Sequence, residues 1–163
     1  MIALVGLALR EPGLRAGLAP RGPAAYSLSI GVATGAAAAG LLWLVRRYPA
    51  LEQLERWQRK MVSGWSITDA MAVAVFSGLA EEALIRALLQ PIIGLFPAAL
   101  LFAVLHLVPD RRLWLWPVLA LLLGLALGQA FSMGGYPAAA AAHLLINALA
   151  FMRLRGHRED ARD

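Results

Sequence analysis

The chain has 163 residues, of which 60% are hydrophobic and 15% are charged. Its mean hydropathy of +0.66 excludes an ordinary soluble domain of this length and indicates an integral membrane protein with one compact domain. The sequence contains no cysteine, which excludes disulfides, thiolate nucleophiles and cysteine-ligated metal sites. The net charge of +5 comes from basic residues clustered beside the apolar runs, which argues for membrane topology and against a nucleic-acid partner.

The first 25 residues are predicted to precede the membrane domain as an N-terminal segment and linker. Residues 1–9 are apolar, but a spanning helix needs roughly 20 residues, and the features of a secretory signal are missing. Residues 15–23 are rich in glycine, proline and arginine, a composition typical of a linker. The membrane-embedded domain is expected at residues 26–152, and a charged tail at residues 153–163.

Five apolar stretches predict an all-α, polytopic helical bundle in the membrane. The spans are expected at residues 26–45, 66–89, 97–108, 113–131 and 137–152. The dipeptide Gln90-Pro91 is expected to break the second span. In the fourth span, Gly124 and Gly128 are expected to form a face for close helix packing.

Residues 50–61 differ from the five spans because apolar and charged side chains alternate with helical periodicity. The apolar positions are Leu51, Leu54, Trp57 and Met61. This pattern predicts an amphipathic helix that lies on the membrane surface.

The distribution of basic residues predicts the orientation of the chain in the membrane. If residues 46–60, residues 110–112 and the C-terminal tail are cytoplasmic, most of the arginines and lysines lie inside, as the positive-inside rule requires. The N-terminus is then outside and the C-terminus cytoplasmic. The five tryptophans also fall near the cytoplasmic boundary, where aromatic side chains are favoured.

Three ionisable residues lie within the second span: Glu81, Glu82 and Arg86. At the centre of a bilayer each charge costs roughly 2.5 to 3.5 kcal/mol. Helical geometry places Arg86 about 40° from Glu82 but about 140° from Glu81 around the helix axis. We therefore expect Glu82 to form an ion pair with Arg86, while Glu81 remains available for another partner.

Other polar residues are predicted to lie at the same depth as Glu81. At about 1.5 Å per residue, Glu81, His106 and Asn147 all lie roughly 14 Å below the outer turns. His143 lies one helical turn from Asn147 on the same face. We therefore predict that four polar residues from three helices share one buried site.

The chain contains three short motifs in these spans: EEALIR at residues 81–86, FAVLH at 102–106 and HLLIN at 143–147. They resemble the E-E-x-x-x-R, F-x-x-x-H and H-x-x-x-N motifs of the CPBP (Abi) intramembrane protease family. That family includes type II CAAX prenyl endopeptidases and bacteriocin-processing or immunity proteins. The resemblance covers about residues 68–151. One departure is Ala87, where many members have glycine, and the chain is short for the family.

The resemblance implies glutamate-dependent hydrolysis of a peptide bond. Glu81 is expected to act as the general base for water, because a carboxylate in an apolar pocket suits that task. His106 would hold the same water or transfer its proton, and His143 and Asn147 would donate hydrogen bonds to the oxyanion. Glu82 and Arg86 are expected to have a structural role. The expected partners are the lipid bilayer and a membrane-associated peptide or protein substrate, prenylated or not, and the expected location is the bacterial inner membrane.

Three other interpretations compete with metal-free proteolysis. Zinc held by His106, His143 and Glu81 is chemically reasonable, but H-E-x-x-H is absent and this ligand set leaves only the paired Glu82 to activate water. A small transporter would also bury such residues, yet the sequence shows no inverted repeat. A non-catalytic scaffold or immunity protein would not need both histidines and Glu81. His157 lies in the charged tail and is not expected to be a ligand.

Overall fold

A computed structural model of the chain describes residues 12–156, and the side chains of residues 15–154. Within these residues the chain forms helices joined by short turns and loops, with no strand beyond one isolated bridge between Pro20 and Gly135. The predicted all-α membrane bundle is confirmed. The apolar segment at residues 1–9 and His157 lie outside the described residues.

The described chain forms eight α-helices, one π-helical segment and one 3₁₀ turn. The α-helices are α1 (Pro12–Leu18), α2 (Ala24–Leu44), α3 (Pro49–Met61), α4 (Ile67–Glu82), α5 (Gln90–Ile93), α6 (Leu95–Leu105), α7 (Leu115–Gly134) and α8 (Tyr136–Gly156). The π-helical segment, Ala83–Leu89, joins α4 to α5, and the 3₁₀ turn, Arg111–Leu113, precedes α7. Helix α1 covers residues that were predicted to be a linker.

Within residues 12–156, three stretches are long and apolar enough to cross a membrane: Ala24–Leu44, Arg111–Gly134 and Tyr136–Leu154. The other two predicted spans differ from them. Helix α6 has 11 residues, which at about 1.5 Å per residue reach roughly half of the hydrocarbon thickness. Helix α4 continues into the π-helical segment, but this stretch carries Asp69 and the three ionisable residues at 81, 82 and 86.

Glycines allow close helix packing between α2 and α8. A Cβ atom at Gly31 would lie 2.6 Å from the Ala138 carbonyl oxygen, and one at Gly35 would lie 2.9 Å from that of Ala142. The two backbones therefore touch directly, as small residues permit in membrane bundles.

The predicted packing face of α7 is also confirmed. A Cβ atom at Gly124 would lie 3.3 Å from Ala99 and from the Phe102 ring. The Gly128 carbonyl oxygen accepts a hydrogen bond from Gln90 Nε2 at 3.0 Å. Both glycines are buried, and the face holds α6 and the start of α5 against α7.

The predicted helix break at Gln90-Pro91 is wrong. The chain remains helical through Pro91, and it first widens into the π-helical segment at Ala83–Leu89. Proline lacks an N–H and its ring clashes with the carbonyl group four residues earlier in an α-helix, so a wider turn ahead of it relieves both problems. The helix ends instead at Gly94, whose φ of 88° favours glycine.

Helix α3 is amphipathic as predicted, but its apolar face covers the bundle rather than lipid alone. Leu51 and Leu54 are buried, and the helix contacts the 3₁₀ turn, α7 and α8. Glu55 forms ion pairs with Arg59, at 3.1 Å, and with Arg153 at the end of α8. These contacts fix α3 across one end of the bundle.

Candidate active site

A cavity of about 780 Å³ lies among α2, α3, α6, α7 and α8. Most of its wall is leucine and alanine. The polar and charged side chains that line it are Arg46, Glu55, Gln58, His106, His143, Asn147 and Arg153. The cavity therefore combines an apolar interior with three of the four residues predicted to be catalytic.

His143 projects from α8 and is buried, with 6% of its surface exposed. Its Nδ1 atom lies 2.9 Å from Glu82 Oε1. A carboxylate paired with an arginine is ionised and can only accept, so Nδ1 carries the hydrogen and donates it. The Nε2 atom of His143 is left for a second partner.

Glu82 is fully buried and both of its oxygens are engaged. Oε2 accepts a hydrogen bond from Arg86 Nε at 3.0 Å, and Oε1 accepts the one from His143. Helical spacing predicted the ion pair with Arg86. The contact with His143 corrects the expectation that Glu81, not Glu82, faces the imidazoles.

The packing of α4 explains why Glu82 faces His143. Gly78 lies one turn before Glu82, and a Cβ atom there would be 3.5 Å from the Leu144 backbone nitrogen. Residues four apart share a helix face, so the face that bears Gly78 and Glu82 packs directly on α8. The sequence-based prediction considered only the pairing of Glu82 with Arg86, and it did not consider that Gly78 brings this helix face close to α8.

Arg86 is a fully buried cation in the π-helical segment. Its Cζ atom lies 5.2 Å from the centre of the Phe102 ring, a cation–π distance. Nη1 and Nη2 have no hydrogen-bond partner. The charge is therefore compensated by Glu82 and the aromatic ring.

Glu81 differs from Glu82 in both exposure and partners. It is partly exposed, and its Oε2 atom is buried without a hydrogen-bond partner. It lies close enough to Arg86 for Coulomb attraction. Glu81 is not among the residues that line the cavity. The structure therefore brings His106, His143 and Asn147 together at one cavity and leaves Glu81 beside it with a free carboxylate oxygen.

His106 caps the C-terminus of α6, which corrects the prediction of a helix at residues 97–108. Helix α6 ends at Leu105. The His106 Nδ1 atom lies 2.7 Å from the Phe102 carbonyl oxygen, which can only accept, so Nδ1 carries the hydrogen. As in His143, the Nε2 atom remains free.

Aromatic rings flank His106. The centre of the Phe102 ring lies 4.5 Å from that of the imidazole, and the centre of the Trp116 ring lies 6.0 Å from it. Phe102 also meets the His143 ring edge-on at 5.8 Å. Phe102 therefore packs against both imidazoles, whereas Trp116 was not identified from sequence.

Asn147 ties α8 to α4 through its side chain. Its Nδ2 atom donates a hydrogen bond to Ser77 Oγ at 3.2 Å. An amide nitrogen carries two hydrogens, so one remains for another partner. Sequence reasoning missed Ser77, although it lies four residues before Glu81, on an adjoining part of the same helix face.

The alternative zinc ligands are not brought together. Among the described residues, no three histidine, aspartate or glutamate side chains are placed to hold one metal ion. Glu82, rather than Glu81, contacts His143, and that carboxylate is already engaged by Arg86. The residues therefore do not fit the ligand set of His106, His143 and Glu81.

The fold and the buried polar residues indicate a membrane protein with a functional site inside its helical bundle. A helical bundle with three apolar spans holds two imidazoles with free Nε2 atoms at one cavity, and a buried Glu–Arg pair supports one of them. Buried ionisable groups of this kind mark functional sites in membrane proteins.

The family model for type II CAAX prenyl endopeptidase Rce1-like proteins matches residues 63–149, which is more than half of the chain and includes all three motifs. The chain belongs to this family. It is therefore an integral membrane protein of the CAAX-type protease class, which acts on proteins in a membrane context. Comparisons with curated proteins and with solved structures gave no match.

Proposed function

We propose that this protein is an intramembrane endopeptidase in which Glu81 activates a water that hydrolyses a peptide bond. The observation that carries the proposal is the pair of imidazoles at one cavity, each with Nδ1 engaged and Nε2 free. Two imidazoles that line one cavity, each with a free nitrogen atom, suit the handling of water and of a developing negative charge.

Glu81, rather than Glu82, is the proposed general base. Both oxygens of Glu82 are occupied by Arg86 and His143, whereas Oε2 of Glu81 has no partner. In the proposed reaction Glu81 takes a proton from water, and the hydroxide adds to the carbonyl carbon. The C–N bond then breaks as the proton passes from Glu81 to the leaving amine.

The other residues have complementary roles in this reaction. The Nε2 atom of His106 accepts a hydrogen bond from the water and orients it. The second hydrogen of Asn147 Nδ2 is donated to the oxyanion. His143 adds a donor to the oxyanion when its Nε2 is protonated, with Glu82 as the counter-ion. No metal takes part in the proposed steps.

The proposed substrate is a membrane-associated protein, and the proposed location is the bacterial inner membrane with the C-terminus in the cytoplasm. Arg46 and Arg153 line the cavity and belong to the basic segments that the positive-inside rule assigns to the cytoplasm. The cavity would then open toward the cytoplasmic side. A prenylated C-terminal segment is one substrate to test, since the family description names prenyl endopeptidases.

Purified protein reconstituted in liposomes tests this function. The probes are a farnesylated CAAX peptide, the same peptide without farnesyl, and transmembrane reporters with a randomised segment on either side. We expect the wild type to cleave at least one probe and His106→Gln and His143→Gln to cleave it at least about 100-fold more slowly, the low end of acid–base contributions. No cleavage of any probe, or equal rates in the variants, would contradict the proposal.

Transport and a non-catalytic role are tested in the same liposomes. Membership of a protease family favours neither a transporter nor a non-catalytic scaffold. Proton flux carried by the wild type in the absence of proteolysis would support a transporter, and the absence of both activities would support a scaffold.

A further inference from the structure

We propose that Trp116, supported by Trp57 of α3, is a positioning residue that holds the His106 imidazole with its Nε2 atom toward the cavity. The inference rests on the proposed function and gives the amphipathic helix α3 a part in positioning a catalytic residue. Neither tryptophan belongs to the three motifs. Trp57 also lies outside the segment that matches the family model.

His106 needs support because it follows the last residue of α6. Its backbone has left the helix, with φ −98° and ψ 9°, and its one side-chain hydrogen bond is to the Phe102 carbonyl. That bond fixes Nδ1, but a single bond does not fix the plane of the ring. Packing by neighbouring side chains is needed as well to hold Nε2 in one direction.

Phe102 and Trp116 supply that packing. The Phe102 ring is tilted by 44° to the imidazole, and the Trp116 ring by 30°. Phe102 is itself fixed, because it is buried and also contacts Arg86 and His143. Trp116 lines the cavity together with His106. The imidazole therefore packs against Phe102, which is fixed, and against Trp116, whose ring needs a support of its own.

Trp57 supplies the support for Trp116. Their ring centres lie 5.9 Å apart with the planes at 71°, an edge-to-face geometry that is favourable for aromatic pairs. Helix α3 carries Trp57 and is fastened to α8 by the ion pair of Glu55 with Arg153. The orientation of His106 thus depends on the docking of α3.

Kinetics of Trp116 variants test the proposal on whichever liposome probe the wild type cleaves. We expect Trp116→Leu to lower kcat at least about tenfold, since small misplacements of reacting groups cost up to about 100-fold, with KM within about twofold. Trp116→Phe keeps a flat ring and should recover most of kcat. Trp57→Leu should give an intermediate loss. The matched control is Trp114→Leu, because Trp114 lies two residues away with 59% of its surface exposed.

A second measurement does not depend on activity. The chain has three histidines, so ¹⁵N spectra of histidine-labelled protein in nanodiscs can be assigned with single substitutions. We expect His106 to be the Nδ1–H tautomer in the wild type and in Trp114→Leu, and to become a mixture of tautomers in Trp116→Leu and Trp57→Leu. If Trp116→Leu fails to fold, Trp57→Leu carries both tests.

The two measurements separate the two proposals. An unchanged His106 tautomer in both Trp116→Leu and Trp57→Leu, or a loss of kcat in Trp114→Leu equal to that in Trp116→Leu, would overturn the positioning role. If no probe is cleaved by the wild type, the proposed function fails, and the tautomer alone then decides whether Trp116 positions His106.

Discussion

At the residue scale, the two adjacent glutamates have different environments because they lie on different sides of α4. Glu82 points to the face that packs on α8 and accepts hydrogen bonds from Arg86 and His143. Glu81 keeps a buried oxygen with no partner. The first arrangement stabilises a buried cation, and the second leaves an acid available for chemistry.

This difference predicts that substitutions of the two glutamates have very different effects on the stability of the protein. Glu82→Gln should destabilise the protein by about 3–5 kcal/mol, because it leaves the buried Arg86 without its counter-ion. Glu81→Gln should change stability by less than about 1 kcal/mol, since it removes no hydrogen bond. Thermal unfolding of the two variants in the same detergent checks this, and an equal Tm for both would contradict it.

Ser77 offers a second test at this scale. Ser77→Ala removes the hydrogen bond to Asn147 Nδ2, worth about 1 kcal/mol, and frees the amide to rotate. We expect kcat to fall about fivefold with little change in KM. Ser29→Ala is the control, because the Ser29 hydroxyl donates only to its own helix, to the Tyr26 carbonyl. Equal rates for wild type and Ser77→Ala would show that Asn147 is not oriented by Ser77.

At the scale of the elements, the site depends on departures from regular α-helices. The π-helical segment carries Arg86 and lets the chain continue through Pro91. Helix α6 stops after 11 residues, so that His106 lies at its end and not within it. Such π-helical segments are frequent at functional sites, and here the segment brings Arg86 under the Phe102 ring.

Helix α2 holds α8, and with it His143 and Asn147, through close backbone contact. Gly31→Ala would place a Cβ atom 2.6 Å from the Ala138 carbonyl oxygen, so we expect α2 and α8 to separate and the Tm to fall by several degrees. Gly40→Ala is the matched control, since nothing lies within 4 Å of its Cβ position. It should raise the Tm slightly, because alanine favours a helix over glycine. A Gly31→Ala protein as stable as Gly40→Ala would contradict this packing.

At the scale of the whole molecule, the chain is a membrane bundle whose cavity, with the polar residues that line it, lies near one end. The cavity-lining residues Arg46 and Glu55 lie in the connection from α2 through α3, and Arg153 lies at the end of α8. The opposite end contains the α7–α8 turn, where Arg21 Nη1 donates to the Ser132 carbonyl at 2.8 Å. We therefore expect the two ends to lie on opposite sides of the membrane.

The side that faces the cytoplasm can be tested because the chain has no cysteine. Single cysteines at Lys60 and at Met133, which is 47% exposed, report on the two ends. A membrane-impermeant maleimide should label Met133→Cys in intact bacterial cells, but Lys60→Cys only after lysis, because the positive-inside rule places Lys60 in the cytoplasm. The reverse pattern would contradict the proposed orientation.

Sequence patterns predicted the helices and the motif residues because hydrophobic periodicity and helical spacing are local. The pairing of Glu82 with Arg86 needed only a four-residue offset. The contact of Glu82 with His143 spans 61 positions and depends on how closely Gly78 lets α4 approach α8, which no local pattern encodes. The same limit explains why Ser77 and Trp116 were missed as parts of the site, and why α3 was predicted only to lie on the membrane surface.

The proposed reaction is tested most directly by mass spectrometry of the cleaved liposome probe after incubation in H₂¹⁸O. We expect the wild type to place one ¹⁸O atom in the newly formed carboxyl group, and Glu81→Gln, folded and with a normal Tm, to form this product at least about 100-fold more slowly. A Glu81→Gln protein that forms the labelled product at the wild-type rate would contradict it.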